Sequence, residues 1–220
     1  MPTPSIHTAR RIAFFAAVAL LAACSSGGGS DSASTAPTTV PDTAVAAATD
    51  VLLTQDELRT VPGFEQGTVQ PFNSAPTFTN PDPRGPCGGK ATNPPMDNAA
   101  GTAYSAGNTA VAFHLITPTT ELQRTYLLAL SKDRKDPCPT WESTTTKGTT
   151  QTVSDTKFVD VSDVSAEALS WTATIGSGTA KAYAGVLILV DDQVTSLVQM
   201  QSLSPISAET MHAFAQKITG

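Results

Sequence analysis

The sequence predicts an α+β domain built on an antiparallel sheet of about five to six strands, with two longer helices packed on one face. Three observations predict it. Strand-like segments follow one another between residues 151 and 201 with short turns, and strands joined by short turns must be antiparallel. Two other segments combine helix-start signals with an apolar side that can cover a sheet. The chain lacks the repeated strand–helix alternation of a parallel α/β fold.

The first predicted elements are a short helix and a strand. Thr54 and Glu57 have the spacing of a capping box, which opens a helix, and Pro62-Gly63 ends it. Residues 68–72 form a candidate strand. Residues 73–98 are dense in Pro, Gly and Asn, and they are predicted to be a loop.

A hairpin and a helix are predicted next. Residues 101–105 and 109–116 flank Gly107-Asn108, a dipeptide that tolerates positive φ in a tight turn. The second strand places one apolar set on one face: Val111, Phe113 and Leu115. Thr117-Pro118 then predicts a helix start, as an N-cap followed by Pro at the first helical position. The apolar side of that helix consists of Leu122, Tyr126, Leu127 and Leu130.

The remaining chain predicts a meander and a closing helix. The candidate strands are residues 151–161, 169–175, 181–190 and 194–201. The turns of the meander are assigned to Gly176-Ser177-Gly178 and Asp191-Asp192. Ser204-Pro205 leads into a helix whose apolar face consists of Met211, Phe214, Ala215 and Ile218.

Residues 1–23 have the features of a lipoprotein signal peptide. Arg10 and Arg11 precede an apolar run that is too short to span a bilayer, which needs about 20 residues. The run ends in Leu21-Ala22-Ala23-Cys24, the lipobox pattern, in which the Cys24 thiol accepts lipid. The alternative is an ordinary signal peptide with a chance Cys. We expect acyl chains such as palmitate on Cys24, and two or more chains anchor a protein stably to a membrane.

Residues 24–50 are predicted to be the lipidated Cys and a disordered tether of Ser, Thr, Pro and Gly, and residues 51–220 the folded domain. The 13 basic residues include two in the signal, which leaves 11 against 19 acidic residues and a net charge of −8. Such a surface repels nucleic acid. We expect a protein on the extracytoplasmic face of the cell membrane, in the cell envelope.

Two cysteines remain after Cys24, namely Cys87 and Cys138. In an oxidising compartment a pair of thiols is expected to form one disulfide. It would close a loop of about 52 residues and stabilise the fold by roughly 4 kcal/mol. The alternative is a pair of free or reactive thiols, which the absence of a C-x-x-C motif disfavours.

The order and spacing of several segments resemble the PknH-like extracellular sensor domain, which is found on a mycobacterial membrane serine/threonine kinase and in many mycobacterial lipoproteins. Leu52-Leu53-Thr54 with Glu57-Leu58 resembles its first helix, and Pro86-Cys87-Gly88 its first cysteine site. The helix before Cys138, with Trp141 nearby, resembles its central helix and second cysteine. Residues 185–201 and the final helix resemble its closing elements.

This resemblance implies a curved antiparallel sheet with helices on one side and a cleft that takes an unidentified extracellular ligand. The chain departs from the family in having no Cys after Cys138, where members carry a second disulfide. It also has no kinase portion, so signalling would need a partner. Trp141 and Trp171 are the candidate cleft residues, because aromatic side chains often line ligand sites. Core packing is the alternative for each.

No catalytic, metal or cofactor site is predicted. Ser105 lies in a loose G-x-S-x-G pattern, and Asp191 or Asp192 and then His212 follow in α/β-hydrolase order, but a strand rather than a helix follows the serine. His114 and His212 are interpreted as surface or half-buried residues. They are far apart in sequence and lack the clustered carboxylates of a metal site.

Three hypotheses for function follow. The leading one is a non-enzymatic, membrane-tethered sensor domain that binds a small molecule, lipid or wall fragment. The second is an interaction module that docks onto another envelope protein. The third is a hydrolase that uses Ser105.

Overall fold

The computed structural model describes residues 51–71, 84–90, 99–144 and 148–220. The predicted signal peptide, Cys24 and the tether lie outside these residues. The described part has three helices: α1 (Gln55–Leu58), α2 (Glu121–Lys132) and α3 (Ala208–Thr219). Its eight strands are β1 (Thr68–Pro71), β2 (Ala100–Ala106), β3 (Ala110–Pro118), β4 (Trp141–Thr144), β5 (Thr150–Val159), β6 (Ala168–Ser177), β7 (Ala180–Val190) and β8 (Val194–Ser202).

The eight strands form one antiparallel sheet in the order β1-β2-β3-β8-β7-β6-β5-β4. This confirms the α+β class and the antiparallel sheet, whereas the expected count of five to six strands is too low. The β2–β3 hairpin and the β6–β8 meander are joined because β8 pairs with β3. The short strand β4, which follows the proline-flanked Cys138, was not predicted and forms one edge.

The sheet is covered on both faces. Leu187 and Leu189 of β7 pack with Met211, Phe214 and Ile218 of α3. The intervening residues Ile188 and Val190 pack with Leu127 and Leu130 of α2. Since alternate residues of a strand point to opposite faces, α2 and α3 lie on opposite sides of the sheet, and the expectation of two helices on one face is wrong. We call these the α2 face and the α3 face.

The helix α2 begins later than predicted. Pro118 is the last residue of β3 and pairs with Val194 of β8, so it does not open the helix. Thr120 is the N-cap, and it forms a capping box with Gln123. The apolar side of α2 is narrower than predicted, because Leu122 is 59% exposed while Gln123 is buried.

The other predicted elements are confirmed with small shifts. Thr54 and Glu57 form the capping box of α1. Gly107 has φ +58 in the turn between β2 and β3, which fits the predicted hairpin. Gly176 is still within β6, so the turn before β7 lies at Gly178-Thr179. The predicted strand at residues 68–72 is confirmed as far as residue 71.

The main core lies between the α3 face and helices α1 and α3. Phe64, Tyr104 and Phe214 form an aromatic group with ring centroids 5.3 Å and 5.8 Å apart. Gly185 of β7 lets α3 approach closely, since a Cβ there would lie 2.9 Å from the Met211 sulfur. None of the described helices is long and apolar enough to cross a membrane.

Candidate functional site

A row of half-buried side chains crosses the α2 face beside the part that α2 covers. Phe113 of β3 pairs with Gln199 of β8, Gln199 with Val186 of β7, and Val186 with Trp171 of β6. The parallel row formed by Leu115, Leu197, Ile188 and Leu169 is fully buried under α2. Because directly opposed residues in adjacent strands share a face, these four half-buried residues form one continuous strip.

The next two rows of the same face have mostly small side chains. Ala184 pairs with Ala173 and with Gln201, and Ala182 pairs with Ile175. Because these small side chains are flanked by larger ones, they form a depression in the surface of the α2 face. We define this strip and its small-residue floor as the shelf: Phe113, Val186, Gln199, Gln201, Trp171, Ala173, Ala182 and Ala184. None of these side chains is charged.

Three polar atoms on the α2 face are shielded from solvent without a hydrogen-bond partner in the described part of the chain. They are Oε1 of Gln199, Oε1 of Gln151 and Nε1 of Trp141. Gln151 follows the same alternation as Val153, which pairs with Ile175 of the α2 face. A shielded polar group without a partner costs about 1–3 kcal/mol. Two acceptors and one donor are therefore unused on the α2 face: the Gln199 oxygen lies on the shelf, and the Gln151 and Trp141 atoms lie at the β5–β4 side of the sheet.

The two tryptophans predicted to line a cleft lie on the same face. Trp171 belongs to the half-buried strip and packs against the core beneath α2. Trp141 pairs with Val153 at the β4 edge. Both residues are half-buried. The structure thus places them on one side of the sheet, two strands apart, and each also takes part in packing.

Trp141 is held by the loop that the disulfide fixes. Cys87 and Cys138 are bonded, with Cα atoms 5.0 Å apart. Gly88 has φ +82 and packs directly on the indole, since a Cβ there would lie 2.7 Å from Trp141 Cγ. The carboxylate of Asp133, just after α2, accepts hydrogen bonds from the Cys87 and Gly89 N–H groups at 2.9 and 3.0 Å. The loop therefore connects the end of α2 to the edge of the sheet.

One charged group lies beside the half-buried strip at the end of α2. The Arg134 guanidinium lies 4.8 Å from the centroid of the Phe158 ring, and Phe158 pairs with Trp171. The Asp160 carboxyl has a lowered pKa, chiefly because Ser162 donates hydrogen bonds to it, with the charge of Arg134 among the smaller causes. On α2 itself, burial raises the pKa of the Tyr126 phenol to about 12, so this side chain is neutral.

The residues of the hydrolase hypothesis are not brought together. Ser105 Oγ donates to the Gly107 carbonyl at 3.2 Å, in the hairpin turn. Ser105 pairs with Val111 of β3, and Val111 pairs with Gln201 of β8. Gln201 lies about nine residues along the chain from Asp192, which in an extended strand is about 30 Å. His212 is on α3, and its Nε2 lies 2.9 Å from Oδ2 of Asp163, in the connection between β5 and β6. The three side chains thus occupy separate places.

His114 is completely buried, which corrects its interpretation as a surface or half-buried residue. It lies on the α3 face, where Tyr104 Oη is 3.1 Å from its Nδ1 and also accepts from the Leu53 N–H at 2.9 Å. Burial lowers the pKa of His114 to about 3, so the ring is neutral. No group of three or more His, Cys, Asp or Glu among the described residues could hold a metal ion.

Sequence reasoning missed Gln199 and Gln151. A signal for Gln199 existed, because it lies two residues after Leu197 and so shares the sheet face on which Leu197 is buried. Gln151 could not be found in this way, because the irregular pairing of β5 between Ser154 and Lys157 breaks the alternation.

Comparison with known proteins shows the fold. Neither a family profile nor a curated protein matches the chain in sequence. Among solved structures, it matches the crystal structure of the extracellular domain of PknH from Mycobacterium tuberculosis, with a TM-score of 0.55. Sequence identity is 15%, and the match covers 79% of this chain and 93% of that chain. The chain therefore has a PknH-like fold, as the sequence resemblance predicts.

Proposed function

We propose that this chain is a lipid-anchored protein of the bacterial cell envelope whose extracytoplasmic domain binds a small ligand on the shelf, in a sensor-like, non-catalytic role. The observation that carries the ligand site is the uncharged strip of Phe113, Val186 and Trp171 beside the unpartnered Gln199 oxygen. Ligand sites are mostly apolar and aromatic, with a few placed polar groups. The PknH-like fold and the sequence of residues 1–24 support the location.

Native mass spectrometry of the full chain tests the ligand site. The protein is expressed with its own signal in a bacterial host that lipidates such proteins, and is extracted from the membrane in detergent. We expect a reproducible extra mass that is lost on denaturation. Ala184→Phe fills the shelf floor and should remove the extra mass. The matched control Ala129→Phe, on the exposed side of α2, should retain it.

Two results would contradict the proposed site. One is a wild-type protein without any extra mass. The other is an extra mass that survives Ala184→Phe, because the bound molecule would then lie elsewhere.

The anchor is tested separately through Cys24. Wild-type protein should fractionate with the membrane and carry the mass of attached acyl chains, because two or more chains hold a protein stably. Cys24→Ser should remain unacylated and leave the membrane fraction. Membrane association of Cys24→Ser would contradict anchoring through this residue.

A second candidate function is docking onto an envelope protein. Two of the large apolar side chains that are exposed lie on α2, Leu122 at 59% and Leu128 at 55%. If this hypothesis is correct, cross-linking in cells should capture a defined partner that Leu122→Ser with Leu128→Ser loses. Capture that is unchanged in the double variant would contradict a role of α2.

A further inference from the structure

We propose that a cluster of cations at the C-terminal end of α2 docks the domain on the anionic lipid surface of the membrane that holds it. All members of this cluster are exposed, and we call it the basic patch: Arg84, Lys90, Lys132, Arg134 and Lys135. This inference rests on the proposed lipid anchor at Cys24. It adds a second, reversible contact with the membrane and is independent of the shelf.

Contacts of the disulfide loop bring the basic patch together from two distant parts of the chain. Arg84 and Lys90 close the loop through an antiparallel bridge. Between them, two backbone N–H groups of the loop donate to the Asp133 carboxylate. Asp133 is flanked in the chain by Lys132 and Arg134. The loop and the end of α2 therefore hold the cations at one junction, which the disulfide fixes covalently.

Positive charge is concentrated at this junction. After the predicted signal is removed, the chain has 11 basic and 19 acidic residues, and five of those 11 cations belong to the basic patch. Asp133 and Asp136 offset two of the five charges. Four of the cations form no ion pair with an acidic residue in the described ranges: Lys90, Lys132, Arg134 and Lys135. Because neighbouring like charges repel one another, the cluster destabilises the free domain, and an anionic partner would relieve that repulsion.

The opposite end of α2 is acidic. Arg124 contacts the carboxylates of Glu167 and Asp192 there, and Glu121 opens the helix. The helix therefore runs from an acidic end to a basic end. An anionic surface repels the first end and attracts the second, so it orients the domain in spite of the negative net charge.

The predicted tether keeps the basic patch close to the bilayer. The described domain begins with Val51 and Leu52, which pack against Ile116 and Val194 near the acidic end. The 26 residues between Cys24 and the domain would span about 28 Å on average as a flexible chain. Because the anchor confines the domain to this distance, the effective concentration of lipid headgroups is high, and a weak electrostatic contact suffices.

An exposed apolar side chain beside the basic patch favours a lipid surface over a soluble polyanion. Leu128 is 55% exposed and precedes Lys132 by four residues, so the two lie on one side of α2. Apolar side chains next to cations are typical of helices that lie in a membrane interface, because the cations meet the headgroups while the apolar groups enter the acyl boundary. A soluble polyanion offers Leu128 no such contact.

Lysine footprinting of the acylated full chain in nanodiscs tests the contact. The discs contain phosphatidylcholine alone or an equal mixture with phosphatidylglycerol, and mass spectrometry follows the rate at which an amine-reactive reagent labels each lysine. We expect Lys90, Lys132 and Lys135 to be labelled at least about 3-fold more slowly in the anionic discs. Lys181 and Lys217, which are exposed elsewhere on the domain, should be labelled equally in both. High salt should remove the difference, since it screens exposed charges.

A charge variant tests the role of the cations. Lys132→Gln with Lys135→Gln removes two of them, each contributing roughly a factor of 5 at an anionic surface, so docking should weaken about 25-fold and the protection of Lys90 should be lost. The matched control, Lys181→Gln with Lys217→Gln, should retain it. Equal protection of Lys90 in the two double variants would overturn the role of the basic patch.

An apolar variant distinguishes a bilayer from a soluble polyanion. Leu128→Ser should remove at least about half of the protection in anionic discs, because the lost apolar contact weakens docking. Leu203→Ser changes a leucine that is 44% exposed after β8, and it should leave the protection unchanged. Equal protection in these two variants would overturn the lipid surface as the partner and favour a soluble polyanion.

Failure of the docking contact and failure of the anchor give different results. Acylated protein that copurifies with the discs but is labelled equally in neutral and anionic lipid would overturn docking alone. Protection of the patch lysines in cells but not in anionic discs would assign the basic patch to an acidic protein instead. Protein without acyl chains would refute the anchor, and with it the inference.

Discussion

The Tyr104 hydroxyl oxygen lies 3.1 Å from Nδ1 of His114, and both side chains are completely buried. Because the same oxygen accepts a hydrogen bond from the Leu53 N–H, its own proton can be donated to Nδ1. The imidazole proton then lies on Nε2, which has no partner in the described part of the chain. This chain of contacts fastens the segment before α1 to the paired strands β2 and β3.

Removing the Tyr104 hydroxyl should destabilise the domain. Tyr104→Phe leaves the buried Leu53 N–H and His114 Nδ1 without a partner. We expect the free energy of unfolding to fall by about 1–3 kcal/mol, the usual cost of a buried group left unpaired. Urea denaturation followed by tryptophan fluorescence measures it. Tyr183→Phe, whose half-buried hydroxyl has no described partner, should change it by less than about 0.5 kcal/mol. Equal effects of the two variants would refute the role of the hydroxyl.

The buried His114 should make the domain less stable in acid. Its pKa is lowered to about 3 by burial, against about 6.5 in an unfolded chain. Between these values the unfolded state binds the extra proton, so stability falls as pH decreases below about 6.5. The slope from this residue approaches about 1.4 kcal/mol per pH unit. His114→Gln should remove that contribution. Urea denaturation at pH 7, 5.5 and 4.5 measures the two slopes, and parallel slopes would contradict this prediction.

Much of the fold follows from local patterns. The alternation of Val111, Phe113 and Leu115 predicts a strand with these side chains on one face, and they all lie on the α2 face. The apolar face of α3 is also the one that the sequence predicts. Both patterns are local, since one period of about two or 3.6 residues identifies the buried side. The Gly107-Asn108 turn is equally local, because positive φ is required there.

The sheet face that each helix covers cannot be predicted from the local sequence. A helix period shows which side is buried but not which sheet face it covers. A continuous apolar run in β7 from Val186 to Val190 is the signal for cover on both faces, because alternate residues of the run bury on each side. The start of α2 lies later than its local sequence predicts for a related reason. Pro118 satisfies the rule for a helix start, but pairing with Val194 extends the strand through it.

The candidate site is predictable only in part. Aromatic character identifies Trp141 and Trp171. Their relation depends on the register of β4, β5 and β6, which long-range pairing sets. Gln199 is a candidate because its side-chain oxygen has no hydrogen-bond partner in the described part of the chain. The spacing of residues in the sequence cannot indicate a missing partner.

The carboxylate of Asp133 should contribute substantially to stability through the disulfide loop. Its Oδ2 accepts from two N–H groups, those of Cys87 and Gly89. Asp133→Ala leaves both amides unpaired, and we expect a loss of about 2–3 kcal/mol, since hydrogen bonds to charged groups are stronger than neutral ones. Urea denaturation of the oxidised protein measures the loss.

The control for Asp133 is Asp136→Ala, an exposed acidic residue three positions further along the same segment. It should change stability by less than about 0.5 kcal/mol. A similar loss in both variants would mean that the net charge of the segment, rather than the two hydrogen bonds, stabilises the loop.

The energetic cost of a side chain at the close contact between Gly88 and Trp141 can be measured separately from the cost of the left-handed backbone. Gly88 has φ +82, and an added Cβ would lie 2.7 Å from Trp141 Cγ. Gly148 has φ +76 with nothing within 4 Å of an added Cβ. Gly148→Ala should therefore cost only the left-handed conformation, about 1–2 kcal/mol. Gly88→Ala should cost a further 1–3 kcal/mol or so, because the indole must move. It should also shift the tryptophan emission spectrum, which Gly148→Ala should leave unchanged. Equal losses and unchanged spectra in both variants would show that the loop does not hold Trp141 in place.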